Sequence, residues 1–378
     1  MDFSLVASAF ETLRISPPSK LILLEARTLS SAHVPPGPPD VPTLITELDS
    51  LELALQVKTV LLGIYPKEHE VVLVNLNTKA QSLDNAKQKN FITLDLGGVG
   101  IEKSFDSSFS HATCLYLPAL GEGTSFESFQ EIVAHLRAPN GCPWDKEQTH
   151  DSLRKHLLEE SYEAIAALDS GNFDSMCEEF GDLLLQIMLH SQIASEEGEF
   201  TANDVVKGIY DKIIRRHPHV FSDAKVSGVD GVLTNWEKLK DKERKVKGQK
   251  EKGMLDGVPL ALPALSQAQE YQDRAARVGF DWPVIDGVLD KLAEEIQEVK
   301  QAETDFQLAD EIGDLLFVLV NFARWKKVDA ESALRGTNMK FKKRFGYIET
   351  NAKQQGRNLS DMKLDEMDAL WNEAKREG

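Results

Sequence analysis

Glu160 and Glu163, followed by Glu179 and Asp182, form two carboxylate pairs, each spaced i, i+3 so that both members share one helix face. Around the first pair runs an apolar stripe, Leu153, Leu157, Ala164 and Leu168, and the position that should complete it is Glu160. After the second pair, Leu183 to Leu189 is apolar on nearly every side, which predicts a largely buried helix. Carboxylates aimed into or beside a core are costly unless something neutralises them. A hard divalent cation does so, and Mg²⁺ in particular meets proteins through a few carboxylates plus substrate phosphates. The quartet therefore reads as a Mg²⁺ site for a phosphate-bearing substrate.

The pattern occurs twice. Glu295 and Glu298 precede Glu311 and Asp314, and Glu295 completes the stripe Val288, Leu292, Val299 as Glu160 completes its own. Glu160 and Glu295 lie 135 residues apart and Asp182 and Asp314 lie 132 apart, a period that indicates a duplicated domain rather than a solenoid. A basic pair follows each quartet: Lys212 and Arg216, then Lys340 and Arg344, both spaced i, i+4. Trp236 with Lys240 is echoed by Trp371 with Lys375.

The EExxE…ExxD helices, over roughly Phe126 to Lys375, resemble the MazG family of all-α nucleoside triphosphate pyrophosphohydrolases in its tandem form. The resemblance implies that Glu160, Glu163, Glu179, Asp182, Glu295, Glu298, Glu311 and Asp314 hold Mg²⁺. It also implies that Lys212, Arg216, Lys240, Lys340, Arg344 and Lys375 meet the triphosphate and that Trp236 and Trp371 meet the base. Guanidinium and ammonium groups suit phosphate, and an indole stacks on any base without reading its identity. The implied reaction is NTP + H₂O → NMP + pyrophosphate, by attack of water at the α-phosphorus. Pairing of the family's helices into four-helix cores, commonly by dimerisation, implies a homodimer. A narrow dUTP or dCTP pyrophosphatase and a non-catalytic nucleotide-binding scaffold are the alternatives. A di-iron bundle needs two Glu-x-x-His pairs on core helices, and the chain has only Glu147 with His150, ahead of the acidic helices.

The elements that must position these residues make the fold mainly α: two all-α helical domains, 121–245 and 246–378, preceded by a small α/β domain over 1–120. In that first region the runs Leu21–Leu24, Val71–Val74 and Cys114–Leu117 read as strands, and Val41–Leu48 and Leu51–Gly63 as helices. The Pro-rich loop Val34–Asp40, Tyr65–Val71 and Leu115–Pro118 resemble the distal half of a tetrapyrrole methylase-like domain. The proximal half, with that family's S-adenosylmethionine loop, has no counterpart after Met1, so the region reads as a truncated remnant. Gly121–Ser125 reads as a linker, and Phe126–Arg137 as a helix with Phe129, Ile132, Val133 and Leu136 on one face. The tight loops around Trp144 and Trp282 hold tryptophans expected to serve packing.

The net charge of −18 argues against nucleic acid or an anionic membrane as the main partner. Three scattered cysteines suit a reducing cytoplasm rather than a disulfide framework. The start lacks a basic segment of the secretory kind, and no apolar run approaches the ~18 residues of a membrane span. Between the two copies, 16 positions separate Glu163 from Glu179 and 13 separate Glu298 from Glu311. That difference predicts a shorter, tighter connection in the second copy. The stretch Lys340–Arg344 also carries more positive charge than Lys212–Arg216. The second copy is therefore expected to carry most of the turnover.

Overall fold

The structure, a computed structural model, describes residues 3–76, 91–98, 109–224 and 253–377, with isolated positions between 228 and 239. It divides into two compact units, Met1–Ile209 and Tyr210–Gly378.

The first unit opens with a five-stranded sheet, β1 (Ile22–Glu25), β2 (Thr43–Thr46), β3 (Glu70–Asn75), β4 (Phe91–Asp95) and β5 (Thr113–Leu117), in the order β1-β2-β5-β3-β4. β1 and β2 run parallel and the other neighbours antiparallel. Parallel neighbours need a crossover, which here is α2 (Ala26–Leu29) and the Pro-rich loop. Alternation of side chains sends Ile45, Val71, Leu73, Leu115 and Leu117 to one face, where α3 (Leu51–Leu61) covers them with Leu53, Val57, Val60 and Leu61. Leu44 and Cys114 point to the other face, against Ala9 of α1 (Phe3–Leu13). The segment Val41–Leu48, expected to be helical, is the strand β2. All four of its residues are buried because both faces of the sheet are covered, which turns alternation into an unbroken apolar run. Its β-branched Thr43, Ile45 and Thr46 fit a pleated surface better than a helix. β4 was not legible as a strand.

Asp40, at the end of the Pro-rich loop, accepts hydrogen bonds from Ser125 Oγ at 2.7 Å and from Ser128 Oγ, and these bonds hold its carboxyl below the usual range. Ser125 also caps α4 (Phe126–Arg137) by accepting from Ser128 N. The linker is thereby tied to the sheet domain. α5 (Pro143–Glu147), α6 (His150–Ser170) and α7 (Phe173–Glu196) follow, with Val133, Leu153, Leu189 and Ile193 as their shared core. Arg137, only 6% exposed, clamps this group. It donates to both oxygens of Glu196 on α7 and to the carbonyls of Asp145 and Gln148 beside α5. Gly141 is required in the intervening loop, since a Cβ there would collide with the carbonyls of His135 and Leu136. α8 (Ala202–Arg216) and α9 (Pro218–Phe221) continue the chain, with Pro218 marking the break between them.

In the second unit α10 (Ala264–Arg277) packs on α12 (Asp305–Trp325), and α11 (Ile285–Gln301) and α12 form a hairpin. α13 (Ala330–Gln354) packs on α14 (Leu364–Glu377) through Ile348, Ala352, Met362, Leu370 and Trp371. Arg324 plays the clamping part here, donating to Asp281 at 2.6 Å while Trp325 Nε1 donates to the same oxygen at 3.2 Å.

Replacing Arg137 with Met keeps much of its volume but takes the donor from two carbonyls and leaves Glu196 only Gln192. Loss of a paired, largely buried charge costs about 3 kcal/mol. A matching fall in the free energy of unfolding is expected in urea titrations.

Candidate active site

Two helix hairpins position the acids. In the first, Thr149 caps α6 by accepting from Ser152 N, Gly171 ends it in the left-handed conformation (φ +69°), and Asn172 caps α7. In the second, α11 passes through Ala302–Thr304 to α12, which Thr304 caps. The hairpins differ in arm length rather than in the tightness of the turn. The first turn spans two residues and the second three, so the expected shorter connection is corrected. Helix α6 instead runs seven residues beyond Glu163, whereas α11 runs three beyond Glu298. The first arm is longer by one helical turn, and Leu168, at 53% exposure, lies in that extension.

Carboxylate oxygens of Glu160, Glu179 and Asp182 lie within 4.8 Å of one another, and so do those of Glu295, Glu298 and Glu311. Each quartet thus contributes three acids to its cluster. Glu163 and Asp314 stand outside the two trios and are exposed. Burial raises the Glu160 carboxyl above its ordinary value, and repulsion from Asp182, Glu163 and Glu179 raises it further. Glu179 is raised by burial and then by Glu163, Glu178 and Asp182. Glu298 is raised chiefly by burial.

Glu295 is 3% exposed, and its Oε2 is buried with no hydrogen-bond partner. An orphaned buried carboxylate oxygen beside two further carboxylates is the donor set of a hard divalent cation, so the residues present fit such an ion. The other oxygen of Glu295 accepts from Lys291 Nζ at 2.8 Å, and Lys291 also reaches Glu294 at 2.9 Å. Lys291 was not singled out by spacing alone. A lysine four residues before a glutamate is a commonplace helix pair, and nothing in the pattern marks this one as two-thirds buried.

The structure brings each basic pair's arginine onto its tryptophan. The Arg216 guanidinium lies 5.2 Å from the Trp236 ring centre and that of Arg344 5.5 Å from Trp371, both in cation–π geometry. Lys212 and Lys340, one turn earlier, are exposed and join neither contact. Lys375 is exposed on α14, and Lys240 lies outside the described residues. Phe341 tilts against Trp371 at 5.3 Å and stacks on Phe345 at 5.9 Å, an aromatic cluster that the Lys/Arg spacing did not reveal.

Two packing expectations are corrected. Leu153 and Ala164 are buried as expected, but Leu168 does not continue the stripe of α6, where Ala167 is buried instead. α7 and α12 are not buried all round: Phe180, Ile187, Ile312, Leu316 and Leu319 are each 43–47% exposed, because the neighbouring helices cover only part of each surface. Trp144 is 55% exposed, with an edge contact to His156, whereas Trp282 lies against Gly287, where a Cβ would collide with the indole. Among the described residues no helix is long and apolar enough to cross a membrane.

Paired helix hairpins, each bringing three carboxylates together, define the class as a protein with a tandem repeat of all-α carboxylate-cluster hairpins. A family model for the MazG nucleotide pyrophosphohydrolase domain matches residues 148–221 and 286–347, one match on each hairpin. The nucleoside triphosphate pyrophosphohydrolase/pyrophosphatase MazG of Thermotoga maritima is 44% identical over 253 residues, covering 67% of this chain and 96% of that protein. The nucleoside triphosphate pyrophosphohydrolase of Escherichia coli K12 is 44% identical over 65% of this chain and 95% of its own length. The uncharacterized protein YabN of Bacillus subtilis is 42% identical over 98% of this chain and 74% of its own length. The chain belongs to the MazG nucleotide pyrophosphohydrolase family.

The two clusters should respond oppositely to loss of one charge in the metal-free protein. Glu160→Gln relieves repulsion and is expected to raise the thermal midpoint by a few degrees, whereas Glu295→Gln removes the ion pair to Lys291, leaving it only Glu294, and is expected to lower it. Because Glu160, Glu179 and Glu298 bind protons more tightly folded than unfolded, metal-free stability should fall as pH rises above 4.5 through their raised values. Melting curves of the chelated protein across that range check both statements.

Proposed function

We propose that the chain is a cytoplasmic, Mg²⁺-dependent nucleoside triphosphate pyrophosphohydrolase that cleaves the α–β anhydride to release NMP and pyrophosphate. The observation that carries this reading is the pair of carboxylate trios, each within 4.8 Å, on a scaffold matched by the family at both copies. The names of the Thermotoga and Escherichia relatives support the reaction class.

Glu160, Glu179 and Asp182 would hold the cation in the first copy, with Glu163 beside them, and Glu295, Glu298 and Glu311 in the second, with Asp314 beside them. A bound divalent ion supplies charge neutralisation for the phosphates and polarises the phosphoryl group under attack. The chain's own groups do the rest. Arg216 and Arg344 present positive charge in a protein whose net charge of −18 opposes an anionic substrate, and Lys212, Lys240, Lys340 and Lys375 add to it. Stacking of Arg216 on Trp236 and of Arg344 on Trp371 fixes each planar donor fork before the triphosphate arrives, which lowers the ordering cost of binding. The aromatic faces nearby offer stacking that does not depend on base identity, which favours several NTPs and dNTPs over a narrow dUTP or dCTP preference.

A homodimer completes the reading. Leu308, Ile312, Leu316 and Leu319 lie along one face of α12 at i, i+4 and i+3 steps, all exposed, and a second copy of the hairpin would cover them in four-helix packing.

Incubation with a panel of NTPs and dNTPs plus Mg²⁺ is expected to yield NMP and pyrophosphate from several of them. Nucleoside diphosphate with orthophosphate would mean attack at the γ-phosphorus and would overturn the assignment. Glu298, inside the second trio, and Glu163, outside the first, are expected to differ. Glu298→Gln should remove most turnover while Glu163→Gln keeps a substantial part, in proteins of equal circular dichroism. Light scattering is expected to give a dimer for the native chain and a monomer for the double variant Ile312→Glu, Leu316→Glu.

A further inference from the structure

Beyond which acids converge, the two acidic clusters differ in their basic neighbours. In the second, helix α11 places Lys291 one turn before Glu295, and its ammonium bridges Glu295 Oε1 at 2.8 Å and Glu294 Oε1 at 2.9 Å. The residue at the matching offset of 135 in the first copy is His156. His156 sits 3.3 Å from Glu159, as does Lys155, and neither bonds to Glu160. Among the described residues Glu160 makes no ion pair, and its two companions in the trio, Glu179 and Asp182, are both acids.

Glu295 therefore has one oxygen satisfied by an ammonium and the other buried without any partner. A divalent cation and an ammonium compete for one carboxylate, because each repels the other at such short range. Glu294, 57% exposed in its side chain, offers Lys291 a second resting place that a cation at the buried trio would leave untouched. This gives the first acid of the Glu294–Glu295 pair a part distinct from that of the second.

Resting on the proposal that these acids hold Mg²⁺, we infer that Lys291 is a tethered counter-ion that stands in for the metal at the second cluster. In the metal-free protein it holds Glu295 in place through the 2.8 Å ion pair. An incoming divalent cation displaces it onto Glu294, so the second cluster takes free metal more weakly than the first. The first cluster, with no tethered cation, takes metal without displacing anything. Lys291 is a positioning residue here, acting on the metal acid.

Calorimetric titration of the full chain with MnCl₂, without nucleotide, tests the inference. The native chain is expected to show two classes of binding, the tighter lost in Glu160→Gln and the weaker lost in Glu295→Gln. Lys291→Met is expected to tighten the weaker class by about tenfold through removal of a competing unit charge, and to lower the melting temperature of the chelated protein. Glu294→Gln, which leaves Lys291 only Glu295, is expected to weaken the same class severalfold while the protein stays folded. Unchanged or weaker binding in a folded Lys291→Met protein overturns the inference, as does stronger binding in Glu294→Gln. No divalent binding in the native chain overturns the metal assignment itself, and with it this inference.

Discussion

Three carboxylates whose oxygens approach within 4.8 Å repel one another, and the rest of this molecule is arranged around that repulsion. Like charges this close oppose folding to the extent that solvent does not screen them. Such a cluster survives only where other contacts outweigh it. In the first copy these are the Val133, Leu153, Leu189 and Ile193 core and the Arg137 clamp. In the second they are the α10 and α11 contacts to α12 and the Arg324 clamp on Asp281. Both clamps sit at helix ends, away from the acids, so rigidity is supplied without neutralising the charges that a substrate-bound cation needs.

The two copies have settled the same repulsion differently. The first leaves Glu160 without a cation, and the carboxyl answers by holding its proton more tightly. The second spends a lysine on Glu295, which keeps that carboxylate at 3% exposure. The extra helical turn at the end of α6, with Leu168 exposed, has no counterpart in α11. Duplication has therefore kept four acids in each copy while changing which three of them converge and what surrounds them.

Much of this was legible in the residues. The i, i+3 acids and the 3.6-residue apolar period named both hairpins, and capping residues such as Thr149, Asn172, Thr304 and Ser125 stand where the helices begin. Strand β2 was misread because burial on both faces erases the alternation that distinguishes a strand, and Leu44 and Ile45 gave no sign of facing different helices. The exposure of Ile312 and Leu316 was hidden for a different reason. Periodicity reports that a face is apolar, and it does not report which partner covers it. Lys291 and the Phe341–Trp371 contact depend on side-chain direction across one turn or across two helices, which spacing constrains only loosely.

The apolar faces and the acids belong to one argument. A helix that gives interior positions to Glu311, as α12 does, has fewer positions left with which to hold its neighbours, so its remaining apolar residues must be used on more than one side. Val318 and Val320 are buried within the chain, while Leu308, Ile312, Leu316 and Leu319 point elsewhere and stay 38–47% exposed. Each such leucine or isoleucine gains about 1.5–3 kcal/mol on full burial, so covering the stripe with a second copy would offset a large part of the repulsion within the trio. Under the proposed dimer, association of chains and concentration of charge would be coupled: the helices that carry so acidic a site would be stabilised from outside the single chain.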